Sequence, residues 1–471
     1  MASLRNMAFS SGTGSEGVRR IAAALSLAVL SAATTGAHSA PTSVPSQMAA
    51  FAPSVAQTML LAKARAAGAT ELVPSAGPDG GMIVNGKLAG RLFVLALPSN
   101  WTGEMVLFGQ GYALPGGTPT VPTDPIANDP GGGLFKHLYA EGVASGVAAF
   151  DKTGIATKSG AKNSIRLRTL AARLGATRFY AVGGSMGGSI VMALIERYPR
   201  KFSGAVSMCG VTEGWIPLVQ QLADMRGAYN LLTEGTPYAL PGDKDVTRSA
   251  LPVVPPAGDA TPGNAFREAQ KMKVLMPILA LFQAAKANPD GSEARIIRQV
   301  AAVGGFAPDP AALGAPLYSA LLGMDDIVAT MDGLPIGNIG KVYDPPEMNV
   351  AEKAEFNRRM QRFAASPKAV AYARLWHQAT GRFRVPLVTV HQTIDALVPF
   401  AQSEGLGRVV SRAGNGAHLA QYAVPPTRFP LPGGLEGYTH CGFTPEQNIA
   451  AFEAMRNWVN TGQKPGPEAV Q

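Results

Sequence analysis

The stretch from Arg178 to Arg200 reads RFYAVGGSMGGSIVMALIERYPR. A short β-type run, Phe179 to Val182, meets a glycine cluster holding one serine, and a helix pattern follows from Gly188 to Tyr198. The centre, Gly183-Gly184-Ser185-Met186-Gly187, is G-x-S-x-G between a strand and a helix. A turn that tight holds the serine at strained backbone angles, so its neighbours must lack bulky Cβ groups. The hydroxyl then stands above the sheet edge, and the amide of Met186 opens the helix free to meet an oxyanion. An incidental serine in a glycine-rich turn is the bland alternative. A phosphate loop does not fit, because no lysine follows the glycines and G-x-G-x-x-G is absent.

Outward from this turn the pattern repeats. Met105 to Phe108 and Val143 to Phe150 read as buried strands, Asn163 to Leu174 as a helix stopped by Gly175, and Gly204 to Met208 as the next strand. Strands and helices alternating at this spacing predict a parallel sheet with right-handed crossovers. Ahead of it, Met82 to Val84 and Gly90 to Ala96 read as a strand pair, with Asn85-Gly86 as the hairpin turn. From Val211 to Phe383 the rhythm is lost to helical patterns joined by Pro/Gly-rich segments. It resumes at Val385 to His391, with a last strand at Leu419 to Val424. Thr444-Pro445-Glu446-Gln447 then reads as a capped helix start. The fold class is α/β, with a mostly parallel central sheet flanked by helices. The expected organisation is an N-terminal extension over 40–80, core pieces over 81–210 and 384–464, a mainly helical lid over 211–383, and a flexible tail over 465–471.

The 471 residues are 46% hydrophobic and 15% charged, enough for a large core and too apolar for disorder. The formal charge of +9 is diffuse, with no clustered lysines and arginines, so a nucleic-acid partner is not expected. Arg5, Arg19 and Arg20 precede the apolar run Ile21 to Leu30, which fades into Ala37-His38-Ser39-Ala40. This pattern predicts an export signal over 1–39, removed after Ser39, and a periplasmic or extracellular protein. The run is too short to span a bilayer, and no later stretch is apolar enough. Of the two cysteines, Cys209 ends the strand after the serine helix and Cys441 lies beside His440. Both should lie at the carboxyl end of the sheet, in a compartment where a bond persists. A Cys209–Cys441 disulfide is therefore expected, with a buried free thiol at Cys209 as the alternative.

A serine hydroxyl needs a base to take its proton, and the base needs an acid to hold its tautomer. Among six histidines, His38 is in the export segment, His137 in an early helix, His377 in the insertion, His391 inside a strand and His418 before the last strand. His440, in a glycine-flanked loop before the last helix, is the one placed to reach Ser185. Asp395 follows a strand end on the same rim, in a loop otherwise free of charge. Chain order is then Ser185, Asp395, His440. The strand ending in Gly109-Gln110-Gly111-Tyr112 precedes the serine strand, so the amides of Gly111 or Tyr112 are candidates for the second oxyanion donor beside Met186. No histidine has metal-ligand spacing, so neither metal nor cofactor is expected.

With these residues assembled, the chain resembles the α/β-hydrolase superfamily. The likeness rests on GGSMGG (Gly183 to Gly188), VPLVTVHQTIDALVPF (Val385 to Phe400) and GYTHCGF (Gly437 to Phe443). It is most similar to secreted bacterial esterases and polymer-ester or β-diketone hydrolases, in which NW-x-G, a strand, HGY and a helical insertion recur. The resemblance implies Ser185 as nucleophile, His440 as base, Asp395 as acid, and Met186 with Gly111 or Tyr112 as oxyanion donors. Gln110 replaces the usual histidine and changes the hydrogen bonding behind those amides. Tannase and feruloyl-esterase relatives carry cysteines directly before the serine and directly after the histidine; here Gly184 fills the first place and only Cys441 is present. The implied function is hydrolysis of a small-molecule or polymeric carboxylic ester through an acyl-enzyme, without a cofactor. C–C cleavage of β-diketones or prolyl-type peptidase action would use the same residues, and a binding protein without catalysis is the third possibility.

Overall fold

The computed structural model describes residues 51–470; the expected export signal over 1–39 lies outside the described residues. In chain order the elements are α1 (Val55–Ala66), β1 (Ala69–Ala76), β2 (Met82–Leu88), β3 (Arg91–Leu97), β4 (Glu104–Gly109), α2 (Leu134–Ala140), β5 (Ala144–Ala148), α3 (Thr157–Leu174), β6 (Arg178–Gly184), α4 (Met186–Arg197) and β7 (Gly204–Met208). Six helices follow: α5 (Trp215–Leu232), α6 (Gly263–Ala287), α7 (Ser292–Gly304), α8 (Pro310–Met331), α9 (Val350–Arg359) and α10 (Pro367–Trp376). The chain then returns through β8 (Leu387–Gln392), α11 (Ala401–Arg412), β9 (Leu419–Val424), β10 (Arg428–Leu431), β11 (Leu435–Tyr438) and α12 (Pro445–Thr461).

Nine strands form one sheet in the order β1-β2-β3-β5-β4-β6-β7-β8-β9. β5, β4, β6, β7, β8 and β9 run parallel, while β1, β2 and β3 add an antiparallel flank. The largely apolar sequences of β4, β6 and β7 follow from their place at the centre, where helices cover both faces. One face packs Met105, Leu107, Ala181 and Ala205 against α3 and α4. The other packs Val106, Tyr180, Val182 and Val206 against α2 and α12.

Two strand readings change. Asn85-Gly86 is not a turn but lies inside β2, since Leu88 pairs with Arg91 and the two-residue loop is Ala89-Gly90. Both loop residues have positive φ, at 49° and 76°, as a hairpin turn of that length requires. The stretch 40–80, set apart as an extension, supplies α1 and the sheet's edge strand β1. β1 carries Pro74 and a register shift between Thr70 and Val73, features an edge strand tolerates and a central one does not.

The helical excursion between β7 and β8 has its own core, with Leu222, Tyr229, Val274, Ile278, Leu317 and Leu321 among its buried members. Its two crossings are stitched together. Trp215 N donates to the His377 carbonyl at 2.8 Å, and Ala379 N to that of Glu213 at 3.0 Å. Gln402 of α11 clamps the outgoing strand of this neck: its Oε1 accepts from Glu213 N and Gly214 N, and its Nε2 donates to Gly214 O. The Pro/Gly-rich stretch after β9 forms the β10–β11 hairpin, and Leu435 enters the core of the excursion.

A disulfide joins Cys209, directly after β7, to Cys441, three residues after β11, with a Cα separation of 5.3 Å. It closes a sequence separation of 232 residues around the whole excursion. Cross-linking so long a loop removes on the order of 5 kcal/mol of chain entropy from the unfolded state. Replacing both cysteines by alanine should therefore lower unfolding stability by about 2–5 kcal/mol, measured by denaturant titration. Non-reduced protein should show no alkylatable thiol after denaturation.

His377, at the neck, is 2% exposed and both its ring nitrogens lack a hydrogen-bond partner. Burial, with the cations Lys158, Lys152 and Arg197 adding to it, pushes the imidazole down to about 3. Below the ordinary value near 6.5 the unfolded chain takes up a proton that the folded chain refuses. Stability is thus full above that pH and falls by about 1.4 kcal/mol per unit towards pH 3. Between pH 6.5 and 5 this amounts to about 2 kcal/mol, and urea titrations of His377→Phe should show that part of the acid slope removed.

Candidate active site

The site begins with a backbone constraint. Ser185 follows β6 with φ 56° and ψ −125°, in a region non-glycine residues rarely occupy. Its amide donates to Met208 O at 3.1 Å, and its carbonyl accepts from Gly188 N and Val211 N. The neighbours are glycines for steric reasons. A Cβ on Gly183 would lie 2.6 Å from Gly187 O, and one on Gly187 would lie 2.0 Å from Gly109 O. The sheet and helix thus approach too closely for any side chain on either flank. Gly184 has no such restriction, with only ordinary contacts to Met208 and Cys209.

His440 Nε2 lies 2.8 Å from Ser185 Oγ, and its Nδ1 lies 2.7 and 2.9 Å from the two oxygens of Asp395. Asp395 is 3% exposed. Burial opposes its charge, yet His440 and the amides around it hold the carboxyl below the usual carboxylate range. Leu397 N and Val398 N each donate to Oδ1 at 2.8 Å, and Cys441 N donates to Oδ2 at 3.2 Å. An ionised carboxylate can only accept, so Nδ1 carries the proton and Nε2 presents its lone pair to the serine hydroxyl. The histidine loop is pinned on both sides. Thr439 N donates to Thr427 O at 2.9 Å, Gly442 N to Gln392 Oε1 at 3.0 Å, and the disulfide holds Cys441.

The sequence singled out Ser185, Asp395 and His440, and the structure brings them into one hydrogen-bonded row. Met186 is the first residue of α4, so its N–H has no acceptor within the helix. Gly111 passes over the serine, since a Cβ built on it would lie 3.8 Å from Ser185 Cβ. Tyr112 follows, with its ring 6.5 Å from that of Trp215. Gln110 donates to Thr120 O at 3.1 Å, so it braces the loop that carries both.

Several contributors carry no motif. Gln392, at the end of β8, reads as one more strand residue, although it holds the histidine loop. His391 is buried and its imidazole is pushed down by burial, so its Nε2–H donates to Val398 O at 2.8 Å beneath the Asp395 turn. Trp215 donates to Thr157 and Ser189 behind α4. The contacts of Gln392 and Trp215 join segments far apart in the chain, so no local spacing announces them.

Among the described residues, two groups of side chains converge closely enough to share an ion: Cys209, His440 and Cys441, and His137, Glu141 and Glu453. In the first the sulfurs are bonded to each other and offer no thiolate. In the second Arg456 pairs with both carboxylates.

A family model described as alpha/beta hydrolase fold matches residues 163–248, the stretch containing the Ser185 turn. No curated protein matches the chain. Among solved structures it is similar to an esterase from Aspergillus oryzae, at 13% identity and TM-score 0.42, over 84% of this chain and 87% of that one. It is likewise similar to feruloyl esterase B from Aspergillus oryzae, at 14% identity and TM-score 0.43, over 84% and 86% of the two chains. A third is a putative lipase from Acinetobacter baumannii, at 14% identity and TM-score 0.35, over 88% and 99%. The sheet order, the strained turn at Ser185 and the family model that spans it give the chain an α/β-hydrolase fold.

Proposed function

We propose that the chain is an exported serine hydrolase that cleaves carboxylic esters through an acyl-enzyme. The observation that carries this reading is the row Asp395–His440–Ser185, with 2.7 Å and 2.8 Å between successive polar atoms. Ser185 Oγ attacks the ester carbonyl while His440 Nε2 takes its proton, and Asp395 supports the imidazolium that forms. The oxyanion is received by the amide of Met186 and that of Gly111 or Tyr112. His440 then gives its proton to the leaving alcohol, and water, activated by the same nitrogen, releases the acid. The residues needed are all in the chain, and no cofactor enters any step.

The excursion over 211–383 acts in this reading as a lid that roofs the cleft and sets substrate size. The Tyr112 ring, which follows Gly111 and lies 6.5 Å from that of Trp215, favours an apolar or aromatic moiety on the acyl or alcohol side, in a small ester or an oligomeric or polymeric one. Export is supported by the disulfide, which an oxidising compartment preserves. Among the described residues no helix is long and apolar enough to cross a membrane.

Ser185→Ala should lower kcat by roughly three or more orders of magnitude with the fold retained, since the three residues act as a unit. A fluorophosphonate should label Ser185 on peptide mapping; a label on another serine would refute the assignment. Asp395→Asn should cost about 10⁴ in kcat, because an amide stabilises the wrong imidazole tautomer.

On a panel of p-nitrophenyl acyl esters, a β-diketone and a proline p-nitroanilide, ester turnover should exceed the others at least about tenfold, a ratio worth roughly 1.4 kcal/mol of transition-state preference. Turnover of the diketone alone would replace ester cleavage by C–C cleavage, and turnover of the anilide alone by prolyl peptidase action.

A further inference from the structure

We propose that helix α8 of the excursion positions the oxyanion loop through Gly323, which makes the seat for the Tyr112 phenol; this rests on the serine-hydrolase reading above. Gly323 is buried in the interior of a 22-residue helix. A glycine there costs about 1 kcal/mol relative to alanine, so its place needs a local reason. The reason is steric. A Cβ built on Gly323 would lie 2.7 Å from the Tyr112 hydroxyl oxygen and 3.9 Å from the ring carbon that bears it. The phenol tip therefore rests directly against the helix backbone. The backbone of Tyr112 continues from Gly111, which passes over Ser185. Moving the phenol moves the amides offered to the oxyanion.

The same helix grips the far side of that loop. Asp326, one turn beyond Gly323 and on the same face, accepts from Ile155 N at 2.7 Å and pairs with Lys152. The turn so held returns Gly154 N to Ala113 O at 2.9 Å. Residues 112 and 113 are thus fixed twice, once by the phenol and once through the 152–155 turn, and both fixings end on α8. At its other end α8 begins with Asp309, whose carboxylate caps the helix and accepts from Tyr438 N at 3.1 Å, two residues before His440. One helix therefore spans from the strand leading to the base to the loop facing the oxyanion. Burial keeps the Tyr112 phenol well above the ordinary phenolic range, so the group seated on α8 is a neutral hydroxyl. Gly323 and Asp326 are positioning residues here; neither touches the reacting atoms.

The test is a double-mutant cycle on ester hydrolysis, with p-nitrophenyl butyrate as probe. Gly323→Ala should lower kcat at least about tenfold with KM within about twofold, because the loss falls on a group used only in the transition state. Adding Tyr112→Phe removes the oxygen that the new methyl meets. Whatever the effect of Tyr112→Phe alone, Gly323→Ala should then cost less than about threefold in that background. A Gly323→Ala enzyme with wild-type kcat, or an equal loss in both backgrounds, would overturn the proposal. Folding of the double variant where the single variant fails would support it. If neither folds, Asp326→Asn decides: a fall of at least about threefold in kcat at constant KM supports the role of α8, and an unchanged kcat overturns it. Fluorophosphonate labelling of the wild-type protein separates the two levels. If Ser185 takes no label, the hydrolase reading itself fails; if Ser185 is labelled and the cycle shows no coupling, only the role of α8 fails.

Discussion

Everything in the site depends on one strained residue. Ser185 sits at φ 56°, a conformation that costs a non-glycine residue on the order of 1–3 kcal/mol. It persists because its surroundings over-determine it. The amide is tied to the end of β7, the carbonyl receives two donors, and α4 leaves at once on the other side. That arrangement requires backbones to touch, hence glycine at 183 and 187. The strain has a geometric return: Oγ is held 2.8 Å from His440 Nε2, and the adjacent amide of Met186 opens α4 without an acceptor in the helix.

A second constraint is electrostatic. Asp395 is a carboxylate inside the protein, where an isolated charge would be intolerable. Three backbone amides and the His440 ring satisfy it. One of those amides belongs to Cys441, so a single short segment carries His440, one end of the disulfide and a donor to Asp395. The side chain of Cys209 passes beside Gly184, 3.7 Å from where a Cβ would project. The bridge to the residue after the histidine thus reaches the neighbourhood of the serine from the adjacent strand rather than from the position before the serine.

The parts legible in the sequence were those whose cause is local. Glycine spacing at 183 and 187, the apolar runs of β4 and β6, and the capping box at Thr444 each state their structure within a few residues. Ser185, Asp395 and His440 could be read as candidates because their order along the chain is constrained by the fold. Other features were hidden because their cause is distant. β1 carries a proline and a bulge and forms only because β2 offers an edge. Asn85-Gly86 looks like a turn until Leu88 pairs with Arg91 and moves the reversal four residues on. The contacts of α8 with Tyr112 and with the 152–155 turn join segments some two hundred residues apart in the chain, beyond the reach of any periodicity.

The neck of the excursion has a further consequence. Its two crossings already touch, through Trp215 with His377 and Ala379 with Glu213, and Gln402 of the core clamps the first of them. To the sheet, a long segment entered and left at one point is equivalent to a tight turn, because closure entropy grows only slowly with length. β7 and β8 can therefore keep their register whatever is threaded between them. The neck alone sets the register of the sheet, while the further contacts of α8 with Tyr112, Ile155 and Tyr438 limit where the excursion can change in size.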